Sequence, residues 1–262
     1  MDAPGKAAAG PRAVGTRSAS WTAGLRAVAG RELASAFDSN VAYVATIAGL
    51  LAVASAFMNE FFLSGKLDMT PFFDALAPAL VLLMPAIAMR TWSEDLATRT
   101  FELWTTLPLS SAQLVLGKYL AALALYLVFL AGTLPIVAML CALGDPDLGR
   151  IASGYLGAVL LGALLLAIGQ LVSGLSADQI VVFLATAFVA FALLGCGHPR
   201  VVAVLDGVAE GLGTALHDRV SALPHYARFV RGTVAASSLA YFGGLSALCL
   251  ALNARAVRAL RT

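Results

Sequence analysis

Apolar residues come in long, nearly uninterrupted runs along this chain, and polar residues gather in short clusters between them. A helix that crosses a bilayer needs about 20 consecutive apolar residues, because each rises about 1.5 Å through a hydrocarbon core about 30 Å thick. Six segments fit that requirement: 41–63, 72–91, 119–141, 151–175, 179–196 and 233–253. The fifth is the shortest. None shows the apolar/polar alternation over about ten residues that marks a strand of a membrane barrel. Pro78, Pro85 and Pro135 fall inside these segments. A bundle tolerates them because neighbouring helices re-satisfy the carbonyls that proline frees. The pattern predicts an all-α membrane protein with six transmembrane helices.

The polar intervals divide the rest. Residues 1–20 are Gly, Ala, Pro and Ser with scattered charge, the composition of a disordered tail. In 21–38, Trp21, Leu25, Val28 and Leu33 alternate with Arg26, Arg31 and Glu32 at helical spacing. That spacing predicts an amphipathic helix in the inner membrane interface, with Arg26 and Arg31 towards anionic headgroups and Trp21 at the boundary. A solvated lead-in helix is the alternative. The first apolar run begins too far in, and runs too long, for a secretory signal. The domain reading is a tail over 1–20, an interfacial helix over 21–38, a six-helix domain over 39–255 and a basic cytoplasmic tail over 256–262.

Composition agrees with lipid as the solvent. The chain is 60% hydrophobic and 12% charged, against about 25% charged in soluble domains. An even number of crossings returns both termini to one side. That side carries Lys6, Arg12, Arg17, Arg26, Arg31, Arg90, Arg99, Lys118, Arg255, Arg258 and Arg261; the other carries Lys66, Arg150, Arg200, Arg219, Arg228 and Arg231. The excess of Lys and Arg marks the first side as cytoplasmic.

Motifs for catalysis are missing from the sequence. It holds no GxxxxGK[ST] loop, no GxSxG elbow and no HExxH helix. His198, His217 and His225 share the long outer loop with Asp206, Glu210 and Asp218, but at no standard ligand spacing, so no metal site is assigned. Glu60 and Asp74 lie near the outer ends of their spans, Gln170 is the notable polar group of the fourth, and no carboxylate marks the midplane. This argues against a proton- or sodium-coupled carrier. Cys141, Cys196 and Cys249 sit near span ends; a disulfide between Cys141 and Cys196 stays open. Gly154, Ala158 and Gly162, and again Ala236, Ala240 and Gly244, form small-residue stripes that suit close helix packing within the chain. Val201, Leu205, Val208, Leu212 and Leu216 predict one amphipathic helix on the outer face.

The segment SEDLATRTFELWTTLPLSSAQLVLGK, residues 93–118, is the charged insert between the second and third spans. Ser93 reads as a helix cap with Glu94 and Asp95 in the first turn. Phe101 and Trp104 add apolar surface, Pro108 breaks the helix, and Ser110 or Ser111 restarts it. A small rigid knob at the cytoplasmic face suits a soluble partner that delivers force.

The insert resembles the cytoplasmic segment of ABC-2 type permeases. The matching residues are Glu94-Asp95, Thr100, Glu102-Leu103, Leu107-Pro108 and Gly117-Lys118, with Arg99 standing where the family has Gly. Residues 37–43, Phe72-Phe73, 85–90, 176–181 (with Asp178 for the usual Asn) and 223–241 resemble the GldF-like branch, in order, across about 21–255. The resemblance implies a permease subunit in the bacterial inner membrane that pairs with a second permease subunit, identical or not, and two cytosolic ATPase subunits that bind Mg-ATP. It implies no cofactor and no catalytic residue in this chain. It also implies a coupling helix built from Glu94, Asp95, Thr100, Phe101, Glu102, Trp104 and Pro108, with Trp21, Arg26 and Arg31 framing the contact. Export of an unidentified substrate is the expected function. The alternative is an ATPase-linked anchor or mechanical transmitter working on an envelope or gliding-type protein. Nucleic acid is not among the expected partners.

Overall fold

Lipid offers the backbone no hydrogen-bond partners, so a segment that crosses it must satisfy its own N–H and C=O groups, and an α-helix does so within one segment. The computed structural model describes residues 21–37, 40–98, 100, 109–209 and 211–259, and every regular element among them is an α-helix. In chain order these are α1 (Trp21–Phe37), α2 (Asn40–Ser64), α3 (Thr70–Ala88), α4 (Arg90–Ala97), α5 (Ser111–Ala131), α6 (Leu134–Leu143), α7 (Leu148–Ser173), α8 (Gln179–Gly195), α9 (Pro199–Val208), α10 (Leu212–Arg219), α11 (Leu223–Val230) and α12 (Ala236–Ala259). Five stretches are long and apolar enough to cross a membrane: α2, α3 with α4, α5 with α6, α7, and α12. The pair α8 and α9, bent by 85°, makes a sixth if it counts as one span.

Boundaries shift from the expectation for local reasons. The third crossing begins at Ser111, well before residue 119. Ser110 caps α5 in a reciprocal box: its Oγ accepts the Gln113 N–H at 3.2 Å while Gln113 Oε1 accepts the Ser110 N–H at 2.8 Å. The last crossing runs on to Ala259, and Asn253 and Val257 are buried on it. The expected single outer helix is two, α9 and α10. Gly211 between them has φ +79°, which few other residues adopt, and Gly213 leaves no room for a Cβ beside the Val202 carbonyl. Asp206 ties the pair together, accepting the Thr214 N–H at 3.1 Å and hydroxyl at 2.8 Å. These bonds hold its carboxyl below the usual carboxylate range.

The termini of the described chain share one end of the bundle, where Val28, Trp92, Leu114, Val115 and Val257 form a small core. The main core surrounds α3 and α7 and includes Phe72, Phe73, Leu80, Met84, Leu161 and Leu165. Gly154 and Gly162 on α7 lie against the rings of Phe73 and Tyr126, and Tyr126 Oη donates to the Ala158 carbonyl at 2.7 Å. That stripe packs within the chain, as expected. The α12 stripe does not: Ala236, Ala240 and Gly244 are exposed, and a Cβ on Gly244 would meet nothing within 4 Å.

At the far end α11 folds back against the bundle. Its last carbonyls lack helical donors, and α7 supplies them: Ser153 Oγ donates to the Phe229 carbonyl at 2.8 Å and Arg150 Nε to the Val230 carbonyl at 3.1 Å. Tyr226 Oη donates to the Phe73 carbonyl at 2.9 Å. Arg150 also lies 3.7 Å from Asp68. Partial burial pushes the Asp68 carboxyl up, but hydrogen bonds from Thr70 and the charges of Arg150 and Lys66 outweigh it and hold the group below its ordinary value. The three cysteines are free thiols.

Close packing at Gly162 gives a measurable expectation. Gly162→Ala forces the buried Tyr126 ring aside and destabilises the chain by about 1–3 kcal/mol, while Gly243→Ala, which meets open space, is neutral or mildly stabilising. Thermal unfolding of the purified protein in detergent, with Gly162→Ala melting lower, checks this.

Candidate functional site

Helix α5 presents Ser111, Leu114, Lys118, Ala121 and Leu125 to the interior at helical spacing. Four of these suit a packed face; the fourth-turn spacing also carries a lysine inward. An unpaired ammonium there would cost several kcal/mol. The side chain of Lys118 is 2% exposed, and two carboxylates meet it. Glu32 Oε1, from α1, lies 2.9 Å from Nζ, and Asp95 Oδ2, from α4, lies 2.7 Å from it. The Trp92 ring centroid is 5.0 Å from the ammonium, close enough for a cation–π attraction.

Each neighbour is placed by its own helix. On α1, Gly24, Val28 and Glu32 recur every fourth residue and face α5. Gly117 makes the approach possible, since a Cβ on it would come within 2.6 Å of Val28. Gln113 Nε2 donates to the Trp21 carbonyl at 2.9 Å, fixing the start of α1. Contacts advance in the same direction along both helices, so α1 runs obliquely beside α5. Trp21, Arg26 and Arg31 lie on its exposed side.

Helix α4 follows α3 after a turn at Met89, so Ser93 is not its cap. Ser93 is fully buried mid-helix, its hydroxyl donating to the Met89 carbonyl. The cap comes instead from α7. Ser173 Oγ accepts the N–H groups of Trp92 at 3.0 Å and Ser93 at 3.1 Å, and donates to the Met89 carbonyl at 3.1 Å. A side chain from another crossing thus satisfies donors that the first turn of any helix leaves free.

The expected coupling residues divide. Asp95 faces inward to Lys118 and also accepts the Thr100 hydroxyl at 2.8 Å. Glu94, 43% exposed, pairs with Arg90 at 2.9 Å and remains the acid of α4 open to solvent. Phe101, Glu102, Trp104 and Pro108 lie outside the described residues. Lys118 was legible only as the end of the insert; its place on the buried face of α5 shows once the helix is extended back to the Ser110 cap. A small cleft of about 80 Å³ opens here, lined by Glu32, Ser35, Arg90, Glu94 and Lys118 beside apolar residues of α3 and α5.

His198, His217 and His225 stand apart. His198 Nδ1 accepts the Arg200 N–H at 3.4 Å, and His225 stacks on Tyr241 with ring centroids 4.4 Å apart. Among the described residues no three His, Cys, Asp or Glu side chains gather as metal ligands do. No family model matches the chain, and no curated protein matches it.

Lys118→Met leaves Glu32 and Asp95 facing each other with no cation between them. It is expected to cost about 3–5 kcal/mol and to lower the unfolding temperature clearly. Adding Glu32→Gln and Asp95→Asn to Lys118→Met restores most of the loss. Scanning fluorimetry in detergent reads both; equal melting of wild type and Lys118→Met rules out the ion cluster as a structural anchor.

Proposed function

We propose that this chain is the permease subunit of an ABC-2 type exporter, in which a separate cytosolic ATPase binds Mg-ATP and acts on the end of the bundle that carries the termini. The observation that carries the reading is the way α4 is held. A short polar helix at the membrane face is tied to α7 through Ser173, to α5 through Asp95 and Lys118, and through Lys118 to Glu32 of α1. A displacement of α4 therefore passes to three other helices through buried polar contacts. A plain connector needs no such ties.

The resemblance of 93–118 to the ABC-2 coupling segment supports the same reading. Asp95 then holds the helix in place, Glu94 offers the outward acid, and Thr100, Phe101, Glu102, Trp104 and Pro108 complete the docking surface. Trp21, Arg26 and Arg31 border it. The exposed arginines at this end (Arg26, Arg31, Arg255 and Arg258) suit the anionic inner face of a bacterial cytoplasmic membrane. A second permease subunit, identical or homologous, completes the transporter. The competing role is an anchor or force transmitter on an envelope or gliding-type protein, which has no need of a ligand-sized cavity such as the one between α3, α8 and α11.

Purification from the native membrane in mild detergent tests the proposal. An ATPase subunit should co-purify in stoichiometric amount with ATP hydrolysis. Glu94→Lys and Glu102→Lys should each reduce the recovered ATPase about tenfold, at unchanged membrane insertion. Recovery of the chain without an ATPase overturns it.

A further inference from the structure

A large cavity among the described residues lies away from the terminal end. It has a volume of about 540 Å³ and lies between α3, α8 and α11, within the range of small-molecule sites, about 300–1,000 Å³. Its lining runs along α3. Helix α3 starts at Thr70 at the far end, so Asp74 lies about 6 Å and Val81 about 16 Å along it at 1.5 Å per residue. Asp74 and His198 lie near the far ends of α3 and α8, and Pro78, Val81 and Phe191 form apolar wall.

The one formal charge among the described lining residues is a carboxylate. Asp74 is exposed to the cavity and has no hydrogen-bond or ion-pair partner among the described residues. Two prolines on the same helix add acceptors. Proline has no N–H, so Pro78 deprives the Asp74 carbonyl of its donor one turn on, and Pro85 does the same to the Val81 carbonyl. Asp74, Pro78 and Val81 line the cavity. Phe191 adds an exposed aromatic ring, and the face of such a ring attracts cations. Among the described lining residues there is no Lys or Arg to receive an anion. An ionisable side chain in a membrane segment with no partner of its own is a mark of a functional site.

We infer that this cavity binds a lipophilic organic monocation, an ammonium-type head on an apolar body, with the head at Asp74 and the body against Val81 and Phe191. The carboxylate supplies the countercharge, and the apolar lining takes the rest of the ligand. As the transported substrate, such a cation rests on the permease reading above; as a bound ligand, it does not.

The test uses the full-length chain purified in detergent without any ATPase. The probes are tetraphenylphosphonium and its isosteric anion tetraphenylborate, measured by equilibrium dialysis against empty micelles. Saturable binding of tetraphenylphosphonium is expected. Asp74→Asn should weaken it at least tenfold, Asp74→Glu should retain it, and Val81→Trp should reduce it by filling the cavity. Glu60→Gln, a carboxylate outside the cavity, should change nothing. Tetraphenylborate should bind wild type no better than it binds Asp74→Asn. The inference is overturned if tetraphenylphosphonium shows no saturable binding, if the anion saturates the same site equally well, or if Asp74→Asn binds the cation as wild type does. Cation binding by a chain that recruits no ATPase would keep the site and remove the permease reading.

Discussion

The ammonium of Lys118 is the point on which the terminal end of this protein depends. Burying one charge between membrane helices is costly, and the cost falls only when opposite charges come with it. Glu32 and Asp95 meet that requirement from two different helices. The pairing therefore does more than neutralise a lysine. It fixes where α1 crosses α5 and where α4 lies against both. Gly117 permits the first approach by removing a side chain, and Ser173 secures the second by capping α4 from α7. Removing Lys118 leaves two carboxylates without their cation, and removing Ser173 leaves the Trp92 and Ser93 N–H groups without that acceptor.

Two regions of the bundle follow different physical rules as a result. The terminal end is held by ion pairs and hydrogen bonds that tie α1 and the short α4 to the long α5 and α7 around a small apolar core. The far half is held by ring packing on α3 and α7 and by the carbonyl caps on α11, and α8 gives way to α9 there at a sharp bend. The terminal end suits transmission of movement, because polar contacts of fixed geometry connect its parts. The far half, where α3 and α8 separate around the cavity and proline interrupts α3, suits contact with a ligand. In the proposed permease, force enters at α4 and the substrate is met at Asp74.

Much of this was readable in the sequence. Apolar runs of spanning length gave the crossings, because in lipid hydrophobicity and helix length are coupled directly. A helix restart at Ser110 or Ser111 was legible, though not the box with Gln113 that fixes it at Ser110, and the Gly154, Ala158 and Gly162 stripe was legible as internal packing. What escaped was decided by contacts remote in sequence. Ser93 resembled a cap because acids follow it, yet Ser173, eighty residues away, takes that role. Lys118 resembled a membrane-flanking charge because nothing nearby in sequence reveals Glu32. The outer amphipathic period ran through Gly211 without marking the turn that its positive φ makes. The α12 stripe has the pattern of close packing but faces no helix of this chain.

The central claim is that α4 receives a soluble ATPase. Its most direct test is contact in the native membrane. Ala97 is exposed at the end of α4 and can be replaced by photoreactive benzoylphenylalanine without disturbing the buried ties. Illumination of intact membranes should give one dominant adduct, and peptide mapping should identify its partner as a nucleotide-binding subunit. Adducts confined to lipid, or to a second copy of this chain, would contradict the account.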